Sequence, residues 1–288
     1  MADAIEIVND SELGLTSGLH TLDEREIAIW RDKIEVGNAY INRGTTGAIV
    51  QRQPFGGWKK SVFGAGSKAG GPNYVLSLGR WTAKANPPTM PTAEWSSAVD
   101  ELLQNALALV GVELSEADGE LLRHTAGRYA HAWRTHFSLE HDPSGILGET
   151  NVFRYRPLKK GMLLRLEKQG NTVKALQAAI AAQTCGTAVQ LSVSSSAQAI
   201  TQLDKVGGMQ VFVEGEEGFV GRLKSATADR LRVFSEMPRA VPVAAIEAHI
   251  PLVEEPVVSN GRLELRYYLH EQALSETTHR YGNVVTKK

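Results

Sequence analysis

A single cysteine, Cys185, stands among 288 residues. It can form no internal disulfide and no cysteine-based zinc cluster. So sparing a use of cysteine suits a reducing compartment, and the cytoplasm is the expected location. Charge is nearly balanced: 31 Lys and Arg against 32 Asp and Glu leave a formal net charge of −1. Bulk electrostatics therefore give no reason to expect a nucleic-acid partner. No apolar run approaches the ~18 residues that a membrane-spanning helix needs. The opening residues MADAIEIVND lack the basic flank and apolar core of a signal peptide, so none is expected. There is no repeat at a fixed period and no low-complexity tract.

What the chain does have is glycine, concentrated in one place. The stretch from Tyr40 to Tyr74 reads YINRGTTGAIVQRQPFGGWKKSVFGAGSKAGGPNY. Glycines are favoured where a backbone turns with φ > 0 or approaches another group closely. So many beside a strand-like YIN predict a strand, then a loop whose N–H groups can face a ligand, then a PFGG step that redirects the chain. The pair Gly47-Ala48 has two readings, a plain turn or an anion site made of successive backbone N–H groups. If Gly47 sits at positive φ, a β-branched residue there would disturb the loop. Phe55 is either a core side chain beside the turn or a face for the aliphatic part of a ligand. The run GAGSKAGG contains Gly64-x-Gly66, but Pro72 and Asn73 follow it. No long helix can start there, so this is not a dinucleotide fingerprint.

These residues resemble the aldehyde dehydrogenase superfamily, in which an IN strand leads into a PFGG loop. GNAYINRGTTGAIVQRQPFGGWKKS with SKAGGPNY is most similar to the L-glutamate γ-semialdehyde (1-pyrroline-5-carboxylate) dehydrogenase branch. NDSELGLTSG, from Asn9 to Gly18, resembles a turn and strand of the same superfamily. The end of the chain, NGRLELRYYLHEQALSETTHRYGNVV, resembles the terminal motif of the long proline utilization A proteins, which join a proline dehydrogenase to the semialdehyde dehydrogenase. The resemblance implies an α/β fold: the end of an aldehyde dehydrogenase catalytic domain, then a second, aldehyde-dehydrogenase-like, non-catalytic α/β domain. It implies NAD as cofactor of the complete enzyme and FAD in the linked proline dehydrogenase. The implied partners are the substrate L-glutamate γ-semialdehyde, the remainder of the bifunctional enzyme, and further copies in a homo-oligomer. By resemblance the substrate-binding residues are Gly47 and Ala48, through their main chain, with Phe55 beside the substrate chain. No catalytic, cofactor-binding or metal-binding residue is assigned. The family's nucleophilic cysteine and its Glu-x-Phe-Gly-Pro strand precede the matched stretch, so both are expected upstream. The chain alone is expected to be inactive.

The rest of the chain follows from periodicity and capping. Ile5 and Val8 put a helix at Ala2 to Val8. Thr21 and Glu24 read as a capping box for a helix carrying Ile27, Trp30 and Ile34, with Gly37 at its C′ position. Asn38 to Asn42 is a strand. Pro87, Pro88 and Pro91 interrupt regular structure, which places a linker at residues 86–92 between domains 1–85 and 93–288. Beyond it helices are expected from about Ala93 to Val110 and from Ser115, with Asp118 at the third helical position. Strands are expected at NVFRYRPL, MLLRLEK, AVQLSVS and MQVFVEG, with one or two more from GFVGRL to LRVFS. A helix capped by Thr172 should stop at Gly186. Alternation of this kind implies a second α/β layer domain. The chain from about Gly261 to Asn283 mixes apolar and charged residues and is expected to dock on the dehydrogenase module.

Cys185 and three histidines each have a chemical and a structural reading. Cys185 lies near a helix C-terminus, which disfavours a thiolate, so it reads as a small packed side chain. His124, His131 and His136 share a helix at spacings unlike the i, i+4 pair of a zinc site and read as a lightly packed face. Two functional alternatives stay open. One is a stand-alone module that covers or assembles with a dehydrogenase subunit. The other is an enzyme that reuses the anchor loop with Cys185 as nucleophile.

Overall fold

The computed structural model describes residues 1–45, 47–64, 66–79, 81, 91–195, 202–225 and 228–279. Its elements in chain order are α1 (Ala2–Asp10), β1 (Leu13–Gly14), β2 (Thr16–Leu19), α2 (Glu24–Lys33), β3 (Asn38–Ile41) and β4 (Trp58–Lys59). Next come α3 (Ser97–Leu107), α4 (Glu116–Ala132), β5 (Glu149–Pro157), β6 (Met162–Leu166), α5 (Thr172–Thr184) and β7 (Val189–Ser194). The chain continues with β8 (Gln210–Glu214), α6 (Glu216–Lys224), β9 (Arg230–Val233), α7 (Ala240–Glu247), β10 (Leu252–Val253), α8 (Gly261–Glu264) and β11 (Leu269–Thr277). They form two compact units. The first takes residues 1–79, 138–156 and 270–288; the second takes 80–137 and 157–269. This grouping interleaves along the sequence, unlike the contiguous 93–288 domain expected above. Of the linker at 86–92, residues 86–90 lie outside those described.

In the first unit β2, β3, β11 and β5 form a four-stranded sheet in that order. β3 is parallel to both neighbours, with Ala39 opposite Ser17 on β2 and Leu274 on β11. All four residues of β3 are buried. Ile5 of α1, Ile27 and Trp30 of α2, then Ile34, Val36, Ala39, Ile41, Val152 and Leu274 make one core. The segment expected to dock as a tail thus supplies a central strand as far as Thr277, and its last residues, from 280, lie outside those described.

The start and stop of α2 both differ from expectation. Asp23, not Thr21, is the N-cap, accepting from the Arg25 N–H at 2.8 Å. A short carboxylate one residue before the helix reaches that donor directly. The Thr21 hydroxyl instead bonds the Glu26 carboxylate and accepts from the Asp23 N–H. The helix ends at an extended Ile34, so Gly37 is no left-handed cap. Gly37 is required for another reason: a Cβ there would lie 1.9 Å from the Gly56 carbonyl oxygen.

The second unit holds five parallel strands in the order β10-β9-β6-β7-β8. Helices α5, α6 and α7 make three of the four crossovers, between β6 and β7, β8 and β9, and β9 and β10, and the strand order reverses at β6, as in a doubly wound sheet. α4 starts where expected, with Asp118 at its third position, and Ser115 and Asp118 form a capping box. Thr172 is the first residue of α5 and not its cap; the N-cap is Asn171, whose side chain makes no capping bond. Gly186 has φ +70°. Its N–H donates to Gln183 O and that of Thr187 to Ala182 O, the paired bonds of a Schellman stop. GFVGRL is part of helix α6 and not a strand. Glu216 and Glu217 open it, Arg222 and Lys224 close it, and Phe219 and Leu223 are its buried residues. Charges matched to the helix dipole and an i, i+4 apolar pair outweigh the two glycines.

Candidate functional site

The glycine-rich loop is built from the end of β3 outward. Ile49 and Gln53 form an antiparallel bridge around a tight turn in which Gln51 has φ +61°. The turn is tied to SKAGG by the Gln51 N–H donating to Gly70 O at 3.2 Å. Phe55 and Ala69 exchange both backbone bonds, at 3.0 and 2.9 Å. The two glycine-rich runs therefore pair with each other, which is why a span without a helix still has a fixed shape.

Gly47 and Ala48 are exposed on this loop. No described residue accepts a hydrogen bond from either N–H. Gly47 is not in the left-handed region, and a Cβ on it would meet nothing within 4 Å. A β-branched residue at 47 is therefore tolerated by the backbone, contrary to the condition considered from sequence. The Gly47 carbonyl is held from behind. In the amide orientation that satisfies its neighbours, Gln53 Nε2 donates to Gly47 O at 3.0 Å, and its Oε1 accepts from both Arg43 terminal nitrogens at 2.9 and 3.0 Å. Glu149 pairs with Arg43 at 3.4 Å and with Arg52 at 2.5 Å. Burial pushes the Glu149 carboxyl up, but hydrogen bonds from Arg52 and Asn151 overcome it and the net shift is down. Phe55 is half-buried. All three expected substrate-binding residues belong to the loop system of residues 43–71.

A second, buried group of polar side chains lies under the loop. Lys68 is 2% exposed, and its Nζ donates to Gly56 O and to Asn38 Oδ1. Its backbone N–H donates to Glu271 Oε2 at 2.8 Å. The other Glu271 oxygen accepts from Asn73 Nδ2 at 2.7 Å, and Asn73 also reaches the Tyr155 hydroxyl at 2.9 Å. Trp58 Nε1 donates to the Glu271 carbonyl and its ring stacks on His270 at 4.7 Å. Burial lowers the Lys68 ammonium to about 7, opposed by the Glu271 carboxylate. Sequence reasoning missed this network and the Arg43–Gln53 pair. The lysine of SKAGG was a visible signal; its partner, two hundred residues on, was not.

The remaining candidates lie in the second unit. Cys185 is buried beside the Leu265 carbonyl, Sγ to O 3.9 Å, and burial pushes its thiol well above the ordinary range. It is poorly suited to be a nucleophile. Of the three histidines, His124 and His131 lie on α4 and His136 in the π-helical turn after it. Among the described residues no three His, Cys, Asp or Glu side chains are placed to hold a metal ion. The loop after β6, where a doubly wound sheet binds its ligand, carries Gly170 as its one glycine and no G-x-G-x-x-G. Near it Arg165 is tied to Glu167 at 2.7 Å and to Ser192 at 2.8 Å. This loop therefore has no glycine-rich cradle for a dinucleotide pyrophosphate. No described helix is long and apolar enough to cross a membrane.

Comparison with known proteins gives the class that the chain resembles. Residues 1–79, which hold the whole glycine-rich loop, match the model of the aldehyde dehydrogenase family. The chain as a whole is similar to bifunctional protein PutA of Rhizobium meliloti, 31% identical over 243 residues, which is 83% of this chain and 18% of that protein. It is also similar to the structure of Proline Utilization A from Corynebacterium freiburgense, with a TM-score of 0.71 and 35% identity over 98% of this chain and 24% of that one. A stretch of 72 residues is 51% identical to the 1-pyrroline-5-carboxylate dehydrogenase of Bacillus subtilis, covering 25% of this chain and 14% of that protein. The fold is thus aldehyde-dehydrogenase-like α/β, and the chain spans less than a quarter of each of these proteins.

Proposed function

We propose that this chain is the C-terminal portion of an NAD-dependent L-glutamate γ-semialdehyde dehydrogenase of proline catabolism, located in the cytoplasm, which oxidises the semialdehyde to glutamate. In this reading the chain binds and orients substrate. The Gly47 and Ala48 N–H groups take the α-carboxylate, and Phe55 packs beside the carbon chain. The observation that carries the reading is the pair of exposed N–H groups without an acceptor, in a loop of aldehyde dehydrogenase sequence. Main-chain donors on a loop pinned by Gly70, Ala69 and Gln53 keep their places when a charged ligand arrives, which is what an anchor at a fixed distance from a reacting carbon requires.

The nucleophile and the NAD site are assigned to other parts of the enzyme, because Cys185 is buried and no dinucleotide fingerprint is present among the described residues. NAD supplies the hydride acceptor when bound. FAD belongs to the linked proline dehydrogenase. The chain alone is then inactive. Exposed Ile49, Val50, Phe63, Val75 and Leu78 around the loop support the same reading, being a surface that the remainder of the enzyme or another copy would cover. The second unit serves as a covering or assembly domain.

Removing a side chain cannot test a main-chain anchor, but proline removes the donor itself. In the complete enzyme, Ala48→Pro should reduce kcat/KM for the semialdehyde roughly ten- to hundredfold more than for a short aldehyde without a carboxylate. Equal loss with both substrates in a folded variant would place the carboxylate elsewhere.

A further inference from the structure

The anchor proposed above needs its N–H groups to point at the ligand, and the structure contains a device for aiming that of Ala48. Peptide units here are trans, so the carbonyl of Gly47 and the N–H of Ala48 lie in one plane and point in opposite directions. Whatever holds that carbonyl also sets where the N–H points. What holds it is Gln53, which is 3% exposed and lies on the inner side of the loop. The carbonyl is drawn inward, and the Ala48 N–H is turned away from the interior, on a stretch whose residues 47–50 are all exposed.

A glutamine amide could in principle present either end to Gly47. Arg43 removes the choice. Two guanidinium nitrogens of Arg43 occupy the Gln53 oxygen at 2.9 and 3.0 Å, which leaves the Gln53 nitrogen to face Gly47 O at 3.0 Å. Arginine has donors only, so this sense cannot reverse. Arg43 is in turn fixed by Glu149, which also carries Arg52 and the Asn151 amide. Two guanidinium groups share that one carboxylate, so the local balance favours an anion arriving at the loop.

We propose that Gln53, set by Arg43, is a positioning residue that aims the Ala48 N–H and thereby tunes affinity for a carboxylate-bearing aldehyde. The inference rests on the function proposed above and deepens it. Gln53 touches no substrate; it acts through the Gly47–Ala48 peptide.

The test compares Gln53→Met and Gln53→Glu with Ala48→Pro in the complete enzyme. Gln53→Met removes both bonds at similar volume. Gln53→Glu keeps the acceptor for Arg43, removes the donor to Gly47 and adds a negative charge, so its effect counts only where Gln53→Met shows it too. Both Gln53 variants should raise KM for the semialdehyde about tenfold, leave kcat at saturation nearly unchanged, and leave kcat/KM for a carboxylate-free aldehyde within about twofold. If Ala48→Pro gives the selective loss and neither Gln53 variant does, the positioning role is overturned and the anchor stands. If Ala48→Pro gives no selective loss, the anchor itself falls, and this inference with it. One measurement needs no variant. In the wild-type chain the Gln53 side-chain amide protons should exchange with solvent far more slowly than those of a free glutamine. Exchange at the free rate overturns the proposal even where the variants do not fold.

Discussion

The two units use buried polar groups in opposite ways. In the second, Arg232 and Glu264 are each 0% exposed and pair at 2.9 Å inside a core of Tyr129, Tyr268 and Val258. The first unit spends its buried polar groups on backbone. Lys68, Glu271 and Asn38 hold carbonyls and N–H groups of a loop that has no regular structure of its own, and Asn73 holds the Glu271 carboxylate. Its outer surface stays apolar and open, with Phe63 98% exposed. The difference teaches that the second unit is held by a closed interior, whereas the loop that carries the candidate site is held by a few side chains reaching in from distant parts of the chain. Removing one member should therefore have different consequences on the two sides.

The largest effect is expected for Arg232→Met. It leaves the Glu264 carboxylate buried with its cation gone, and should cost about 3–5 kcal/mol, read as a loss of unfolding free energy in urea. Adding Glu264→Leu should restore a large part of it. If Arg232→Met is nearly neutral, the contrast between the units fails. Glu271→Ala comes next. It strands the Lys68 N–H and takes one partner from the Asn73 amide, at about 1–3 kcal/mol for a buried group left unsatisfied. Its signature is local: faster amide exchange at Phe55 and Ala69, with β6 and β7 unaffected. Loss of protection spread evenly over both units would show that the network is not specific to the loop.

The last effect is a pH dependence. The folded pKa of Lys68 is lowered to about 7, below its unfolded value near 10.4. Between these values the unfolded chain binds the extra proton, so stability rises with pH across roughly 7 to 10 and the gain is complete near the unfolded value. The neutral amine still has donors for Gly56 O and Asn38. Lys68→Met should flatten that slope in thermal unfolding followed against pH. An unchanged slope would assign it to another group.

Much of this arrangement was legible where the cause is local. Ser115 and Asp118 announce their helix, and Gly186 announces the end of another, because caps are decided within four or five residues. The glycine-rich loop was legible through its glycines and its family resemblance. Local signals failed where two of them compete. Thr21 and Asp23 are both able to cap α2, and the nearer one does. GFVGRL has β-like residues, but the charges on either side decide for a helix. Gly37 was assigned to the wrong cause, since only the folded chain brings Gly56 O against it. Gln53 and Lys68 were not legible as parts of the site. Their partners are fixed by packing, and Glu271 is separated from Lys68 by the whole of the second unit.

The pairing of β11 with β3 has a consequence for biosynthesis. Ala39 meets Leu274, so the sheet of the first unit cannot close until the ribosome has made everything between them. At about 5–20 residues per second, that interval is roughly ten to fifty seconds. The second unit is complete before β11 emerges. During the wait β3, with its four buried positions, has one sheet neighbour missing and is a site where chaperones or proteases can act on the nascent chain.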